Sequence, residues 1–378
     1  MIKKLLVILV ILLVSCEKKP ETPQEMMILG NWSVVNKSDK SWERDIRGFE
    51  FLPDGVCDYK SGYLDWERYE NDTLIDRNSQ VMHYLGTKTK YIVSKNSLKI
   101  FDLSEKKWDS FKIKKFSKDT LVIGKDSIWT TFVKKYYDVS KIPDFDAVIV
   151  SSSVCFGNCP ANDIMISKTG SVLYKGNYFV EKKGWYTSKI NDSELQKIIM
   201  RFKQADFMNL KNDYSTMVTD SQSISVSFIK NGKIIKTIED YANSAPYEFI
   251  WAYNILMNEG QFLDLKQKKI NSSLDNNMFF SNLITTDNRK GLSFASSEGF
   301  YLISILMEAK SSDTVFIEKY NWTYNTEAIK RITTDGRYYK LYFRDGKTQV
   351  KDIGFNFITE SNLKNKFEII KKINEQNN

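Results

Sequence analysis

Histidine is almost absent from this chain of 378 residues, which has only His83, together with four cysteines and six prolines. A catalytic Ser-His-Asp or Cys-His arrangement, and a histidine-rich zinc site, would each depend on that one imidazole. The phosphate-binding, HExxH, GxSxG and calcium-loop patterns do not occur. The carboxylates form no distinctive pair, because Asp54 and Asp220 have the neighbours of turn residues. The sequence therefore favours a non-enzymatic protein without a cofactor or a metal.

A strong excess of one charge is also missing. Lysine and arginine total 55 against 47 acidic residues, and the two signs are interleaved without a block of five or six basic residues. This pattern argues against a nucleic-acid partner. Hydrophobic residues make up 42% and aromatics 13%, with 20 Tyr and 23 Phe, so the chain has material for several cores and leans toward β structure.

No apolar run is long enough to span a bilayer as a helix. The run at residues 5–14 follows Lys3 and Lys4 and covers about half of a ~30 Å hydrocarbon core, which is typical of a signal peptide. Ser15 followed by Cys16 resembles the bacterial lipobox, which implies cleavage after residue 15, acylation of Cys16 and a membrane partner through the lipid. Residues 16–28 then read as a tether. Glu17 after the cysteine favours the outer membrane, facing either the periplasm or the surface.

Residues 29–140 consist of short alternating apolar runs separated by turn signals, which predicts an all-β domain. The start at Gly30-Asn31-Trp32 resembles the lipocalin-like domains of bacterial lipoproteins, and this implies an antiparallel barrel. A barrel filled by side chains is favoured over one that holds a small hydrophobic ligand. Five of the eight tryptophans lie in this part of the chain and are assigned to the packed interior: Trp32, Trp42, Trp66, Trp108 and Trp129.

Two residues of this β domain could carry chemistry. Cys57 alternates with Tyr59 along a strand, so a buried free thiol is favoured over an intermolecular disulfide. His83 lies in an apolar stretch and is interpreted as a barrel side chain with a hydrogen-bond partner.

The pattern of apolar residues changes in residues 144–264, and the new pattern predicts an α+β domain. The pattern predicts a helix capped by Ser193, a hairpin on Asn231-Gly232 and a second helix near Pro246. The segment resembles a family of bacterial secreted domains of unknown function. The resemblance rests on Cys155-Phe156-Gly157-Asn158-Cys159-Pro160, the Gly170 turn, the Thr219-Asp220 pair and Tyr241 near Pro246.

Cys155 and Cys159 are the only pair of groups with chemistry of their own. Four positions apart in an exported chain, with Gly157 between them, they favour a structural disulfide. A redox pair is the alternative, although thioredoxin-type motifs have two intervening residues rather than three. Metal binding is the least favoured interpretation, since no second Cys or His pair exists.

Residues 270–378 predict a further α+β domain, with strands near 314–317 and 338–343 and a final helix that includes Leu363, Phe367, Ile370 and Ile373. A shift of 114 residues places Asn231-Gly232 on Asp345-Gly346, so a degenerate duplication of the middle domain stays open. The whole chain is predicted to be a lipid-anchored binding or interaction module with a small ligand or an envelope protein as partner. A thiol-redox lipoprotein and a hydrolase with an unrecognised carboxylate site are the alternatives.

Overall fold

The computed structural model describes residues 23–37, 47–65, 81–270, 274, 282–323, 326 and 328–370. A closed eight-stranded antiparallel barrel comes first, and two eight-stranded sheets follow it along the chain. Helices are few and lie with the two sheets, apart from a short one at the start of the described chain. The predicted fold class, a multidomain β and α+β protein with an N-terminal barrel, is confirmed.

Alternation of apolar and polar residues builds the barrel. Each strand pairs with the next in sequence, and the last closes on the first through Trp32–Lys134 and the adjacent pairs. Inward residues such as Phe49, Phe51, Leu98 and Phe132 form its core. The strands are β1 (Gly30–Lys37), β2 (Gly48–Phe51), β3 (Val56–Asp65), β4 (His83–Val93), β5 (Ser97–Asp102), β6 (Lys107–Phe116), β7 (Thr120–Lys125) and β8 (Ile128–Lys135).

One end of the barrel is closed by the short helix α1 (Pro23–Ile28). Ile28 and Trp32 are fully buried there, and the indole Nε1 of Trp32 donates to the Ile28 carbonyl at 2.6 Å. The last six residues of the predicted tether therefore belong to the fold, because burying Ile28 stabilises them against the barrel. Of the other tryptophans assigned to the interior, Trp108 is 41% exposed and Trp129 is half-buried, while Trp42 and Trp66 lie outside the described residues.

The middle sheet has the strand order β13-β15-β14-β9-β10-β11-β12-β16 and is antiparallel except for the short β13–β15 pair. Helices α2 (Asp192–Gln204) and α3 (Tyr247–Asn258) cover one face, where Phe202, Phe228 and Phe249 pack together. The strands are β9 (Ala147–Ser152), β10 (Ala161–Ser167), β11 (Ser171–Tyr178), β12 (Gly184–Lys189), β13 (Asp213–Tyr214), β14 (Ser223–Lys230), β15 (Lys233–Tyr241) and β16 (Lys266–Gln267).

The third sheet shares a core with the opposite face of the middle sheet. Helix α4 (Ser296–Glu308) is buried on nearly all sides, and Leu302 packs in one cluster with Ile149 of β9 and Leu341 of the third sheet. The third sheet runs in the order β19-β23-β22-β21-β20-β17-β18-β24. Its strands are β17 (Asn282–Thr285), β18 (Lys290–Ser293), β19 (Lys310–Ser312), β20 (Tyr320–Trp322), β21 (Ile329–Thr334), β22 (Tyr338–Phe343), β23 (Thr348–Asp352) and β24 (Glu368–Ile369).

Three local predictions differ from the structure. Asn191 caps α2 instead of Ser193, because its side-chain oxygen accepts from the Glu194 amide at 3.0 Å. Residues 314–317 are not a strand, and Val315 there is almost fully exposed. The predicted final helix is replaced by α5 (Phe357–Glu360), a 3-10 turn at Leu363–Lys366 and β24, while Ile373 lies outside the described residues.

Candidate functional site

In the part of the chain that the structure describes, the end of the barrel opposite α1 holds a cavity of about 380 Å³. Its volume lies within the range of about 300–1,000 Å³ that small-molecule sites occupy. The described side chains of the barrel pack its α1 end and leave this cavity at the other end. The lining combines aromatic, aliphatic and charged groups: Arg47, Phe49, Tyr59, Ser61, Gly62, Tyr63, Leu64, Ile100, Asp102, Ser104, Glu105, Asp109 and Phe111.

Aromatic rings form one wall of the cavity. Phe49 and Tyr59 stack with their ring centroids 5.3 Å apart, and the Tyr63 ring lies 5.0 Å from that of Tyr59. The register of β3 against β4 shifts between Asp58 and Tyr63, and Gly62 within this bulge has φ +72°. A Cβ on Gly62 would lie 2.5 Å from the Tyr84 ring, so only glycine fits where the bulge directs Tyr63 inward.

Carboxylates cluster at the mouth of the cavity on β5, β6 and the turn between them. Asp102 Oδ1 accepts from the amides of Ser104 and Glu105 at 2.8 and 3.0 Å, which fixes that turn. Asp109 lies on β6 and forms an ion pair of 2.7 Å with Lys125 of β7. Both aspartates are buried although they occupy the ends of strands. The inward-facing acids thus have protein partners, as buried charged groups require, and they add polar groups to an otherwise apolar interior.

Burial keeps the hydroxyl of Tyr63 neutral. Burial, followed by the nearby Cys57 group, raises the pKa of Tyr63 far above its ordinary value. Tyr63 is therefore a hydroxyl donor and acceptor at every physiological pH. Burial and the Asp58 charge likewise raise the pKa of the Cys57 thiol, which is free and fully buried as predicted.

The outer face of the same strands packs against α2 and α3. The Arg201 guanidinium lies 3.5 Å from the centroid of the Trp251 ring and forms ion pairs with Glu50 and with Asp58, the latter at 3.3 Å. Burial raises the pKa of Asp58, and the Arg201 charge opposes that shift. Along β2 and β3 the residues alternate, so that Phe49 and Tyr59 line the cavity while Glu50 and Asp58 bind α2.

Lys60 completes this interface and has no exposed surface. Its Nζ donates to Ser33 Oγ at 2.8 Å, Ser33 Oγ donates to Glu248 Oε1 at 2.6 Å, and Nζ lies 4.9 Å from the Trp251 ring centroid. Burial lowers the pKa of Lys60 to about 8, although the Glu248 charge opposes it. Burial alone raises the pKa of Glu248, but Lys60 and Ser33 bring it below its ordinary value.

The two cysteines of the middle sheet form a disulfide between β9 and β10. Cys155 and Cys159 have Cα atoms 5.6 Å apart, and both are half-buried. The loop between them is held to a second loop, because the Phe156 amide donates to the Asp220 carbonyl at 2.9 Å. Phe156 itself is 89% exposed.

Residues 146–259 match a family model described as a domain of unknown function (DUF6438). The predicted relationship of this segment to a domain family of unknown function is thereby confirmed. The match extends from the start of β9 to the end of α3, so the DUF6438 domain contains the disulfide, Arg201 and Trp251 but none of the cavity residues. No curated protein matches the chain.

The remaining candidate residues occupy structural positions. His83 begins β4 with its Nδ1 3.4 Å from Glu181 Oε1 of the DUF6438 domain, so its contact lies outside the barrel interior. Asp54 sits in a 3-10 turn, and Asp220 has φ +63° in the loop that binds Phe156. Cys16 lies outside the described residues.

Neither a metal-binding cluster nor a membrane-spanning helix is present in the described ranges. No three His, Cys, Asp or Glu side chains there come together to hold a metal ion. No helix in the part of the chain that the structure describes has the length and apolarity to cross a membrane.

Sequence reasoning missed the cavity acids, Lys60 and Arg201. Asp102 and Asp109 could have been noticed, because each has the inward parity of Ile100 and Phe111 on its strand. Lys60 and Arg201 carried no such signal, since their partners are distant in sequence.

Proposed function

We propose that this protein is a lipid-anchored binding module of the bacterial envelope that holds a small molecule in the open end of its barrel. The observation that carries the proposal is the cavity of about 380 Å³, with its aromatic wall and its acidic mouth. The DUF6438 domain supports the barrel through the Arg201 interface, and it and the third sheet offer further surface to an envelope protein.

The envelope location is supported by the amino terminus. Lys3 and Lys4 precede ten apolar residues, and Ser15-Cys16 follows in the order of a lipobox. Acylation of Cys16 would anchor the chain, because each buried CH₂ contributes about 0.8 kcal/mol to membrane binding. Glu17 supports the outer membrane as the destination.

The anchor is tested by labelling cells with radioactive palmitate. We expect label in the wild-type protein and in Cys57→Ala, and none in Cys16→Ser. Label that persists in Cys16→Ser contradicts lipidation at this residue.

The binding function is tested by native mass spectrometry of the chain from residue 17 onward, purified from a periplasm. We expect a retained small molecule that Ser61→Phe removes, because a phenyl ring at this position fills the cavity. The matched control is Ser110→Phe, which adds the same ring to an exposed position of β6. A wild-type protein without any retained or added ligand contradicts the proposal.

A hydrolase is the second candidate, because Asp102, Glu105 and Asp109 line the same cavity. Paired carboxylates supply the acid and the base or nucleophile of glycoside hydrolysis. Turnover of a bound ligand that Asp102→Asn abolishes, while binding persists, would replace the binding module with this enzyme. The thiol-redox alternative through Cys155 and Cys159 is tested by the disulfide prediction below.

A further inference from the structure

We propose that the ligand of the barrel cavity is a neutral saccharide of one or two rings. This inference rests on the proposed binding function and adds the chemical class of the molecule. It follows from three observations: the paired carboxylates of the cavity, its aromatic lining and the packed interior beneath it.

The carboxylates at the mouth of the cavity are compensated by the protein. Asp109 is paired with Lys125 at 2.7 Å, Glu105 with Lys107 at 3.1 Å, and Asp102 accepts from two backbone amides. A cationic ligand therefore gains little from these carboxylates. A carboxylate has about four acceptor positions, so an oxygen that already binds the protein can also accept a ligand hydroxyl. These groups suit a ligand that brings several hydroxyl donors and no net charge.

The ring wall suits a molecule with an apolar face. The face of an aromatic ring is electronegative and attracts the weakly positive hydrogens of C–H groups. A pyranose presents such hydrogens on one face and hydroxyls at its edge. Phe49, Tyr59 and Tyr63 line the cavity, Tyr59 being the least buried of the three, and Asp102 and Asp109 lie on β5 and β6 at the same end of the barrel.

The packed interior beneath the cavity argues against a long acyl chain. Towards the α1 end the interior is occupied by fully buried side chains, including Trp32, Leu98 and Phe132. A site that ends on a packed core and has a polar mouth fits a compact ring better than a long flexible chain.

The inference is tested by calorimetric titration of the chain from residue 17 onward. The probes are N,N′-diacetylchitobiose and cellobiose, which are neutral disaccharides with and without acetamido groups. Dodecanoate and dodecylamine are the apolar probes of either charge. We expect at least one disaccharide to bind, and its affinity to fall at least tenfold in Tyr63→Leu and in Glu105→Gln. Glu105 lies in an exposed turn, so the second variant tests the site without disturbing the barrel core.

The matched controls are Tyr136→Leu and Asp126→Asn, both at exposed positions that do not line the cavity. We expect wild-type affinity in each. Binding of a dodecyl probe without either disaccharide overturns the saccharide assignment and leaves the binding function standing. Disaccharide binding that the two cavity variants leave unchanged places the saccharide elsewhere and also overturns the inference. Binding of no probe, in a protein that retains no molecule, overturns both proposals.

Discussion

The guanidinium of Arg201 lies 3.5 Å from the centre of the Trp251 ring, between the barrel and the DUF6438 domain. Lys60 Nζ lies 4.9 Å from the centroid of the same ring. Two cations and one indole therefore join the two parts of the chain, together with the carboxylates of Glu50, Asp58 and Glu248. This interface uses the outer face of strands whose inner face lines the cavity.

Replacing Arg201 is expected to destabilise the folded chain. Arg201→Gln leaves the buried Asp58 carboxylate without its cation and removes the contact with Trp251. Breaking one partner of a buried ion pair costs about 3–5 kcal/mol, which is measured by urea denaturation. Lys197→Gln is the control on the same helix, because Lys197 is exposed and pairs with the exposed Glu194, and we expect a loss below about 0.5 kcal/mol. Equal losses in the two variants would contradict a structural role for the interface.

Lys60 is expected to make stability rise with pH above about 8. The folded protein releases the Lys60 proton near pH 8, because burial lowers its pKa, whereas the unfolded chain retains it until about pH 10.4. Between these values the unfolded chain binds more protons, so the free energy of unfolding increases with pH. The contribution is at most a few kcal/mol, at about 1.4 kcal/mol per pKa unit.

The pH effect is isolated by comparing wild type with Lys60→Met in urea denaturation at pH 7, 8, 9 and 10. As the pH rises through this window, we expect the free energy of unfolding of wild type to increase relative to that of Lys60→Met. Lys99→Met, at an exposed position of β5, is the control and is expected to show a constant difference. A constant difference for Lys60→Met as well would show that Lys60 titrates as an ordinary lysine.

Removing the disulfide is expected to lower stability without abolishing ligand binding. In the chain-entropy model, a disulfide that closes a five-residue loop increases the free energy of unfolding by about 2 kcal/mol. The double variant Cys155→Ser, Cys159→Ser should unfold at a lower urea concentration, and dithiothreitol should lower the wild-type midpoint but leave that of the variant unchanged. Loss of function in a folded, ligand-binding double variant would instead favour the thiol-redox alternative.

Trp32 is expected to matter more than Trp108, although both lie in the barrel. Trp32→Phe removes the hydrogen bond to the Ile28 carbonyl and leaves a void at the closed end, which costs about 1–3 kcal/mol. Trp108→Phe changes a side chain that is 41% exposed, and we expect a cost below about 0.5 kcal/mol. Chemical denaturation compares the two, and the reverse order would contradict the closure of the barrel by α1.

The fold class was predictable because it rests on local patterns. Alternating residues specify strands, and Asn231-Gly232 specifies the turn between β14 and β15. The spacing of Cys155 and Cys159 likewise indicated their disulfide, since a five-residue segment brings its own ends together. The prediction of a final helix was wrong, because Leu363 and Phe367 are placed by packing against the third sheet rather than by helical periodicity.

The sequence by itself determined the β character of the barrel, where the main hairpin turns and which cysteines pair, because those features depend on residues close together along the chain. Only the tertiary structure decided the candidate site and its support. Arg201 meets Glu50 across 151 positions and Asp58 across 143, and no local pattern encodes such partners. The cavity likewise exists only when Phe49, Tyr63 and Asp109 are brought to one end of a closed barrel. Many strands share the same alternation of residues, and only closure of the barrel brings the inward residues of these particular strands together around one interior.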